Sequence, residues 1–212
     1  MNTIKLVIFD LDGTLVDAYG AITRSFNYTM RTLKYPRQKA LIIRRAVGKG
    51  DALLLKPFVG KQDLPRALAV YRRHHAVALR KDTRLLPQVK GTLVYLLKKR
   101  YALAIASNRP TRFSRIIIRH LALDKYIGYV LCADKLRYRK PHPEILHRIM
   151  RKYAVSVCQA LYVGDMAIDA QAGRRAKVKT VIVTTGSSTT QEIKKETPWK
   201  VVKSISGLTK FL

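Results

Sequence analysis

Short apolar runs alternate with amphipathic segments along most of this chain. Between the runs, apolar side chains recur at helical spacing, as in the segment that carries Phe113, Ile117 and Leu121. The run at 4–9 has no polar alternation, which is typical of a strand covered on both faces. Strands and helices that alternate in this way predict a doubly wound, mainly parallel α/β sheet. The runs that we interpret as strands are residues 4–9, 102–106, 129–132, 161–163 and 180–184.

The segment from residue 18 to residue 82 interrupts this alternation. We find no convincing strand between its start and Leu103. A helical block placed after the first strand of a parallel sheet indicates an inserted cap. We therefore expect an α/β core formed by residues 1–16 and 84–212, and an α-helical cap formed by residues 17–83. The apolar positions at helical spacing in the segment are Leu64, Leu68, Tyr71 and Leu79.

Carboxylates are scarce in this chain, and their positions are informative. The sequence has 42 Lys and Arg residues against 13 Asp and Glu residues, yet four aspartates closely follow two of the apolar runs. Reactive residues of open α/β sheets gather at the carboxyl ends of the strands, where uncompensated carboxylates are unfavourable without a cation or a proton. Clustered oxygen ligands favour a hard cation such as Mg²⁺. These aspartates are Asp10, Asp12, Asp165 and Asp169.

Spacing and chemistry suggest how these side chains would work together. Asp165 and Asp169 are four residues apart, which predicts that they share one helical face. A carboxylate attacks a phosphate monoester when a dication shields their repulsion, and a second carboxylate can exchange a proton with the leaving oxygen. Ser107-Asn108 and Lys140 also follow predicted strands and could contact phosphoryl oxygens. Taken singly, each stretch also fits an ordinary turn, a helix cap or a loop lysine.

The order and context of these stretches resemble the haloacid dehalogenase-like hydrolases over essentially the whole chain. The resemblance implies a Rossmann-like core, and the helical insert is similar to the small α-helical cap of the phosphoglycolate phosphatase-like branch. The residues that match the four motifs of the family, in order, are Asp10-Leu11-Asp12-Gly13-Thr14, Ser107, Lys140, and Gly164-Asp165 with Asp169.

The resemblance also implies a role for each candidate residue. Asp10 would be the nucleophile and Asp12 the acid/base, while Ser107 and Lys140 would hold the phosphoryl oxygens. Gly48-Lys49-Gly50 resembles the substrate-specificity loop of the cap. The expected Mg²⁺ ligands are Asp10, Asp165, Asp169 and the backbone carbonyl of Asp12. The expected substrate-binding residues are Thr14, Asn108 and Lys49.

These assignments predict a magnesium-dependent phosphatase that hydrolyses a small phosphate monoester through an aspartyl-phosphate. Asp12 favours phosphate-ester chemistry, because the dehalogenases proper and the phosphonate-cleaving relatives lack an acid at this position. Sugar-phosphate mutases share the motifs and the cap type, so they remain an alternative. The expected partner is a small phosphorylated metabolite, and we expect no association with a membrane. The sequence does not predict the oligomeric state.

The formal net charge of +29 exceeds what this resemblance leads us to expect. It makes a basic nucleic-acid-binding module a second alternative, because such a charge attracts polyanions. The excess is spread along the chain, and its longest run is Lys98-Lys99-Arg100. The site aspartates would also repel phosphate backbones, so we favour the enzyme. Two cysteines and a first apolar run too short for a signal peptide or membrane span lead us to expect a cytoplasmic protein.

Overall fold

A computed structural model describes residues 4–212, so the first three residues of the predicted core lie outside the described residues. Six of its strands form one parallel sheet, and the other two pair with each other. In chain order the strands are β1 (Leu6–Phe9), β2 (Val16–Asp17), β3 (Arg84–Leu85), β4 (Ala102–Ser107), β5 (Tyr129–Cys132), β6 (Ala160–Gly164), β7 (Lys179–Val183) and β8 (Lys200–Val202).

The α-helices occupy most of the chain between these strands. Of the helices in residues 4–212, none combines the length and apolar character needed to cross a bilayer. In chain order they are α1 (Tyr19–Thr32), α2 (Ala40–Ala46), α3 (Asp51–Leu55), α4 (Leu64–Asp82), α5 (Val89–Lys98), α6 (Thr111–His120), α7 (Glu144–Lys152), α8 (Ala167–Arg175) and α9 (Thr190–Lys195).

The large sheet has the strand order β5-β4-β1-β6-β7-β8, and every neighbouring pair is parallel. The register of its centre determines where the site forms. Phe9 of β1 lies opposite Ile105 of β4 on one side and Val163 of β6 on the other. The residues that follow these positions therefore emerge together at one edge of the sheet.

Helices cover both faces of this sheet, which explains the uninterrupted apolar run of β1. Val7 and Phe9 pack into a core that also contains residues of α5 and α6. Leu6 and Ile8 point the other way, into a core with residues of α7 and α8. Successive strand residues alternate between faces, so a fully buried strand must be apolar at every position. The predicted doubly wound, Rossmann-like α/β fold is confirmed.

Residues 19–82 contain helices joined by loops and no strand, as the sequence pattern indicated, and α4 includes the predicted repeat from Leu64 to Leu79. The expectation of no strand before Leu103 was wrong. The strands β2 and β3 form an antiparallel pair with Val16 opposite Leu85, and they join the two places where the chain enters and leaves the helical block. Two residues are too few to show a strand period, which is why the pattern missed them. The division into a core and a cap remains a prediction.

Candidate active site

Three aspartates meet at the carboxyl edge of the sheet. Asp10 follows β1, Asp165 follows β6 and Asp169 lies in the first turn of α8. All three are buried, and one oxygen from each lies within 4.8 Å of the others. The prediction that Asp165 and Asp169 share a helical face was wrong, because α8 begins only at Ala167. The turn between β6 and α8 brings them together instead.

The surroundings of Asp165 fit a bound cation. Thr14 donates from Oγ1 to Asp165 Oδ1 at 3.0 Å, whereas the buried Oδ2 accepts no hydrogen bond from any described residue. Gly13, with φ +85°, and Gly186 pass so close that a Cβ on either would collide with this oxygen. Burial raises the pKa of Asp165 well above its usual value, and the charge of Asp10 adds to this effect. An all-oxygen donor set with one unpartnered buried oxygen is suited to a hard divalent cation.

Lys140 supplies positive charge to the same cluster. Its Nζ lies 2.6 Å from Asp10 Oδ1 and 2.8 Å from Asp169 Oδ1, and it also contacts Ala106 O at 3.0 Å and the Tyr162 hydroxyl at 2.9 Å. Burial opposes the charge of Lys140, but the two aspartates outweigh burial and raise its pKa well above the usual value. Burial also raises the pKa of Asp10 to about 7, against the opposing effect of Lys140.

Tyr162 is a component of the site that sequence reasoning missed. It lies in β6 with its side chain fully buried, and its hydroxyl donates to Asp169 Oδ1 at 2.6 Å. The other oxygen of Asp169 accepts from the backbone N–H groups of Met166 at 3.1 Å and of Asp165 at 3.3 Å. Asp169 is therefore engaged through both oxygens. A tyrosine within an otherwise apolar buried strand was the available signal, because a buried hydroxyl requires a partner.

Ser107 and Asn108 occupy the end of β4 and the turn after it. The Ser107 Oγ accepts from the backbone N–H of Arg109 at 3.1 Å. The Asn108 side chain accepts from Lys140 N at 2.9 Å and donates to Lys140 O at 3.1 Å and to Gly48 O at 2.9 Å. These bonds connect two of the motif stretches with the helical insert. Both the oxygen and the nitrogen of the Asn108 side-chain amide are thus hydrogen-bonded to backbone groups.

Arg109 is a second component that sequence reasoning missed. Its Nε donates to Asp12 Oδ2 at 2.7 Å and its Nη2 donates to Asp12 Oδ1 at 2.8 Å. Its Nη1 lies 2.7 Å from His75 Nε2. Burial and the neighbouring Arg109 charge lower the pKa of His75 to about 2, so this imidazole is neutral and accepts the bond. Among 42 basic residues, nothing in the sequence distinguished this arginine.

A cavity of about 70 Å³ lies among these groups. The sheet edge and the helical insert both line it, and in the insert His75 stacks on Tyr71. Lys49 does not line the cavity: its side chain is exposed, and its carbonyl accepts from Arg139 Nη1 at 2.7 Å. Thr14 is not a lining residue either and contacts Asp165. The lining residues include Asp10, Asp12, Ser107, Asn108, Arg109, Lys140 and Asp169 from the sheet side, and Ile22, Gly48, Leu54, Tyr71 and His75 from the insert.

A parallel sheet with a helical insert after its first strand and buried aspartates at its edge defines a class of hydrolases. A family model described as haloacid dehalogenase-like hydrolase matches residues 7–183. The chain belongs to this family.

Known relatives place the chain more closely. It is 29% identical to a phosphoglycolate phosphatase of Haemophilus influenzae over 100% of both chains. It is 30% identical to a phosphoglycolate phosphatase of Aliivibrio fischeri, over 86% of this chain and 85% of the relative. The crystal structure of a predicted phosphoglycolate phosphatase from Haemophilus somnus superposes with a TM-score of 0.93 at 25% identity, over 99% of this chain and 98% of the other. The protein is an enzyme, a phosphatase of the phosphoglycolate phosphatase-like branch.

Proposed function

We propose that this phosphatase depends on Mg²⁺ and hydrolyses a small phosphate monoester through an aspartyl-phosphate on Asp10. The observation that carries the proposal is the position of Asp10. It lines the cavity, contacts Lys140 at 2.6 Å and lies within 4.8 Å of two further buried aspartates. The names of the relatives make phosphoglycolate the first substrate to test, and a cavity of about 70 Å³ favours a short leaving group.

In the first half-reaction, an oxygen of Asp10 attacks phosphorus while the bond from phosphorus to the leaving oxygen breaks. Asp12 gives its proton to that oxygen, and the alcohol departs. In the second half-reaction, Asp12 takes a proton from water, whose oxygen attacks phosphorus and releases Asp10 and inorganic phosphate. The same residue thus acts first as the acid and then as the base.

The remaining residues position the phosphoryl group. Lys140 contacts Asp10 at 2.6 Å and Ser107 lines the same cavity, so their donors would hold the phosphoryl oxygens and stabilise the charge that develops on them. Asp10, Asp165 and the backbone carbonyl of Asp12 would hold Mg²⁺, which when bound neutralises the repulsion between carboxylate and phosphate. Asp169 would orient Lys140 through their 2.8 Å contact and would contribute to holding the cation, directly or through water.

The test is the substitution Asp10→Asn, which keeps the shape of the side chain but removes the nucleophile. We expect the release of inorganic phosphate from phosphoglycolate to fall by several orders of magnitude. Asp124→Asn, on the exposed surface, is the matched control and should retain activity. An Asp10→Asn protein that folds and keeps more than a few per cent of the rate would contradict the proposal. A product that is an isomerised ester rather than phosphate would favour the mutase alternative.

A further inference from the structure

Arg109 holds both oxygens of the proposed acid/base, and this creates a conflict with catalysis. The Nε and Nη2 donors of Arg109 face the two oxygens of Asp12 at 2.7 and 2.8 Å, which is a bidentate fork. The fork fixes the plane of the Asp12 carboxyl group. To protonate a leaving oxygen, Asp12 has to turn an O–H toward the substrate, and that rotation breaks at least one of the two bonds.

The guanidinium does not depend on Asp12 alone for its position. Its third nitrogen, Nη1, donates to His75 Nε2 at 2.7 Å, and His75 in turn contacts the Ser25 hydroxyl through Nδ1 at 3.1 Å. His75 lies in α4 and Ser25 in α1, so the helical insert anchors one edge of Arg109. The other edge can therefore exchange its partner while the side chain stays in place.

The charges around the cavity define what can replace Asp12. Among residues 4–212, the cations that line the cavity are Lys140 and Arg109, and Lys140 is already matched by Asp10. Asp51 also lines the cavity, but Arg72 binds both of its oxygens at 2.7 and 3.2 Å. Releasing Asp12 without a substitute would leave the buried guanidinium uncompensated, which is strongly unfavourable. A planar, singly charged, bidentate acceptor meets the requirement, and a carboxylate is such a group.

We infer that Arg109 exchanges Asp12 for a carboxylate on the leaving group of the substrate, and that this exchange frees Asp12 to act as the acid. The inference rests on the proposed function, and it assigns to Arg109 the recognition of the carboxylate that a substrate such as phosphoglycolate carries on its alcohol. The fork keeps a singly charged partner, and the displaced Asp12 carboxylate takes up one proton from solvent as the substrate enters. This proton offsets the negative charge that the substrate carboxylate brings into the cavity, and it is the proton that Asp12 then gives to the leaving oxygen. A phosphate ester whose leaving group is uncharged can enter the cavity, but Asp12 then stays bound to Arg109.

Because of this exchange, the substrate carboxylate should affect kcat as well as binding. The carboxylate bonds to Arg109 only as Asp12 is released, so its binding energy is used to prepare the acid for the transition state. An ordinary structural ion pair between Arg109 and Asp12 would behave differently. It would support all phosphate esters equally, and its removal would slow them by the same factor.

The first experiment uses the wild-type enzyme with Mg²⁺ and two esters of equal chain length, phosphoglycolate and ethyl phosphate. Acetate is added during the hydrolysis of ethyl phosphate, with chloride at the same ionic strength as the control. We expect acetate to occupy Arg109 and to raise kcat for ethyl phosphate about five- to tenfold with saturation, since a missing part of a substrate can be supplied separately. Acetate should inhibit the hydrolysis of phosphoglycolate, because both anions compete for the fork.

The second experiment uses Arg109→Met, which retains the length of the side chain without its charge. We expect kcat/KM for phosphoglycolate to fall by about 100-fold or more, and kcat for ethyl phosphate to rise a few-fold as Asp12 is freed. Activation by acetate should disappear. Arg109→Lys, which keeps the charge but lacks the fork, should recover only part of the loss.

The outcomes separate this inference from the proposed function. Failure of the wild-type enzyme to hydrolyse any phosphate ester would overturn the proposed function, and the exchange with it. Hydrolysis of ethyl phosphate that requires Asp10 but does not respond to acetate would overturn the exchange alone. An equal loss on both esters in Arg109→Met would do the same and return Arg109 to a structural ion pair. If Arg109→Met does not fold, the acetate measurement on the wild-type enzyme still decides.

Discussion

The site at the sheet edge and a cleft on the helical insert differ in whether carboxylates accompany their cations. At the site, Lys140 meets Asp10 and Asp169, and Arg109 meets Asp12, all at 2.6–2.8 Å. The cleft has a volume of about 840 Å³, and among the described residues no carboxylate lines it. Its four arginines are Arg24, Arg31, Arg37 and Arg44.

The cleft arginines find weaker partners than the site cations. Arg31 and Arg44 lie over tyrosine rings at 5.7 and 4.2 Å, and Arg44 also donates to backbone carbonyls. Arg24 forms an ion pair with Asp82 at 3.1 Å while its own side chain is 62% exposed. Exposed pairs contribute about 0–1 kcal/mol, whereas breaking a buried pair costs about 3–5 kcal/mol. The net charge of +29 therefore describes the surface, whereas the buried carboxylates of Asp10, Asp165 and Asp169 lie where burial makes pairing decisive.

The largest effect is expected when a cation is removed from the site. Lys140→Met would leave Asp10 and Asp169 as neighbouring buried carboxylates without their shared partner. We expect activity to fall by several orders of magnitude and the free energy of unfolding, without metal, to fall by about 3 kcal/mol. Urea unfolding and a phosphate-release assay measure the two effects. A fully active Lys140→Met enzyme would show that the buried pairing is not needed for the reaction.

Removal of the metal should produce a smaller effect that depends on pH. The pKa of Asp10 rises from 3.8 to about 7 on folding, so between these values the folded protein keeps a proton that the unfolded chain releases. The free energy of unfolding of the metal-free protein should therefore fall as pH rises from about 4 to about 7, and stay at its lower level above that range. Mg²⁺ compensates the ionised carboxylates and should restore the loss.

Thermal unfolding with Mg²⁺ and with a chelator checks this prediction at about pH 5 and about pH 8. The increase in Tm caused by Mg²⁺ should be larger at the higher pH. Asp124→Asn should show the same pattern as the wild-type protein, since this residue is exposed and far from the cluster in the sequence. An increment in Tm that is equal at both pH values would contradict the raised pKa of Asp10.

The smallest effect is expected at Lys49, which the sequence placed among the substrate-binding residues. Its side chain is exposed and does not line the cavity. We expect Lys49→Ala to change kcat/KM for phosphoglycolate by less than about twofold, the usual result at an exposed position. A loss of about tenfold or more that is absent with ethyl phosphate would support the sequence-based role instead.

The sequence was most informative where function depends on strand ends. Asp10, Ser107 and Asp165 each follow an apolar run, and parallel strands necessarily bring such positions to one edge. The parallel sheet and its helical insert could be predicted for a different reason. Their segments are long enough for the hydrophobic pattern to repeat many times. The strands β2 and β3 are too short to do so.

Residues that act through long-range contacts could not be predicted. Arg109 meets Asp12 across 97 positions, and it meets His75 across 34. A basic side chain in a chain with 42 of them carries no pattern of its own. Thr14 shows the converse, because it lies in a recognisable motif but contacts Asp165 rather than the cavity. Side-chain partners depend on how separate elements pack, and local spacing does not encode that packing.

The most direct test of the central claim is to trap the covalent intermediate on Asp10. Asp12→Asn is useful here, because an aryl phosphate has a leaving group that needs no acid, while hydrolysis of the intermediate still needs the base. Acid quenching during turnover, followed by peptide mass spectrometry, should find one phosphoryl group on the peptide that contains Asp10. The double substitution Asp10→Asn with Asp12→Asn should show none. A phosphoryl group on Ser107 or on a histidine, or turnover with no protein-bound phosphoryl group, would contradict the account.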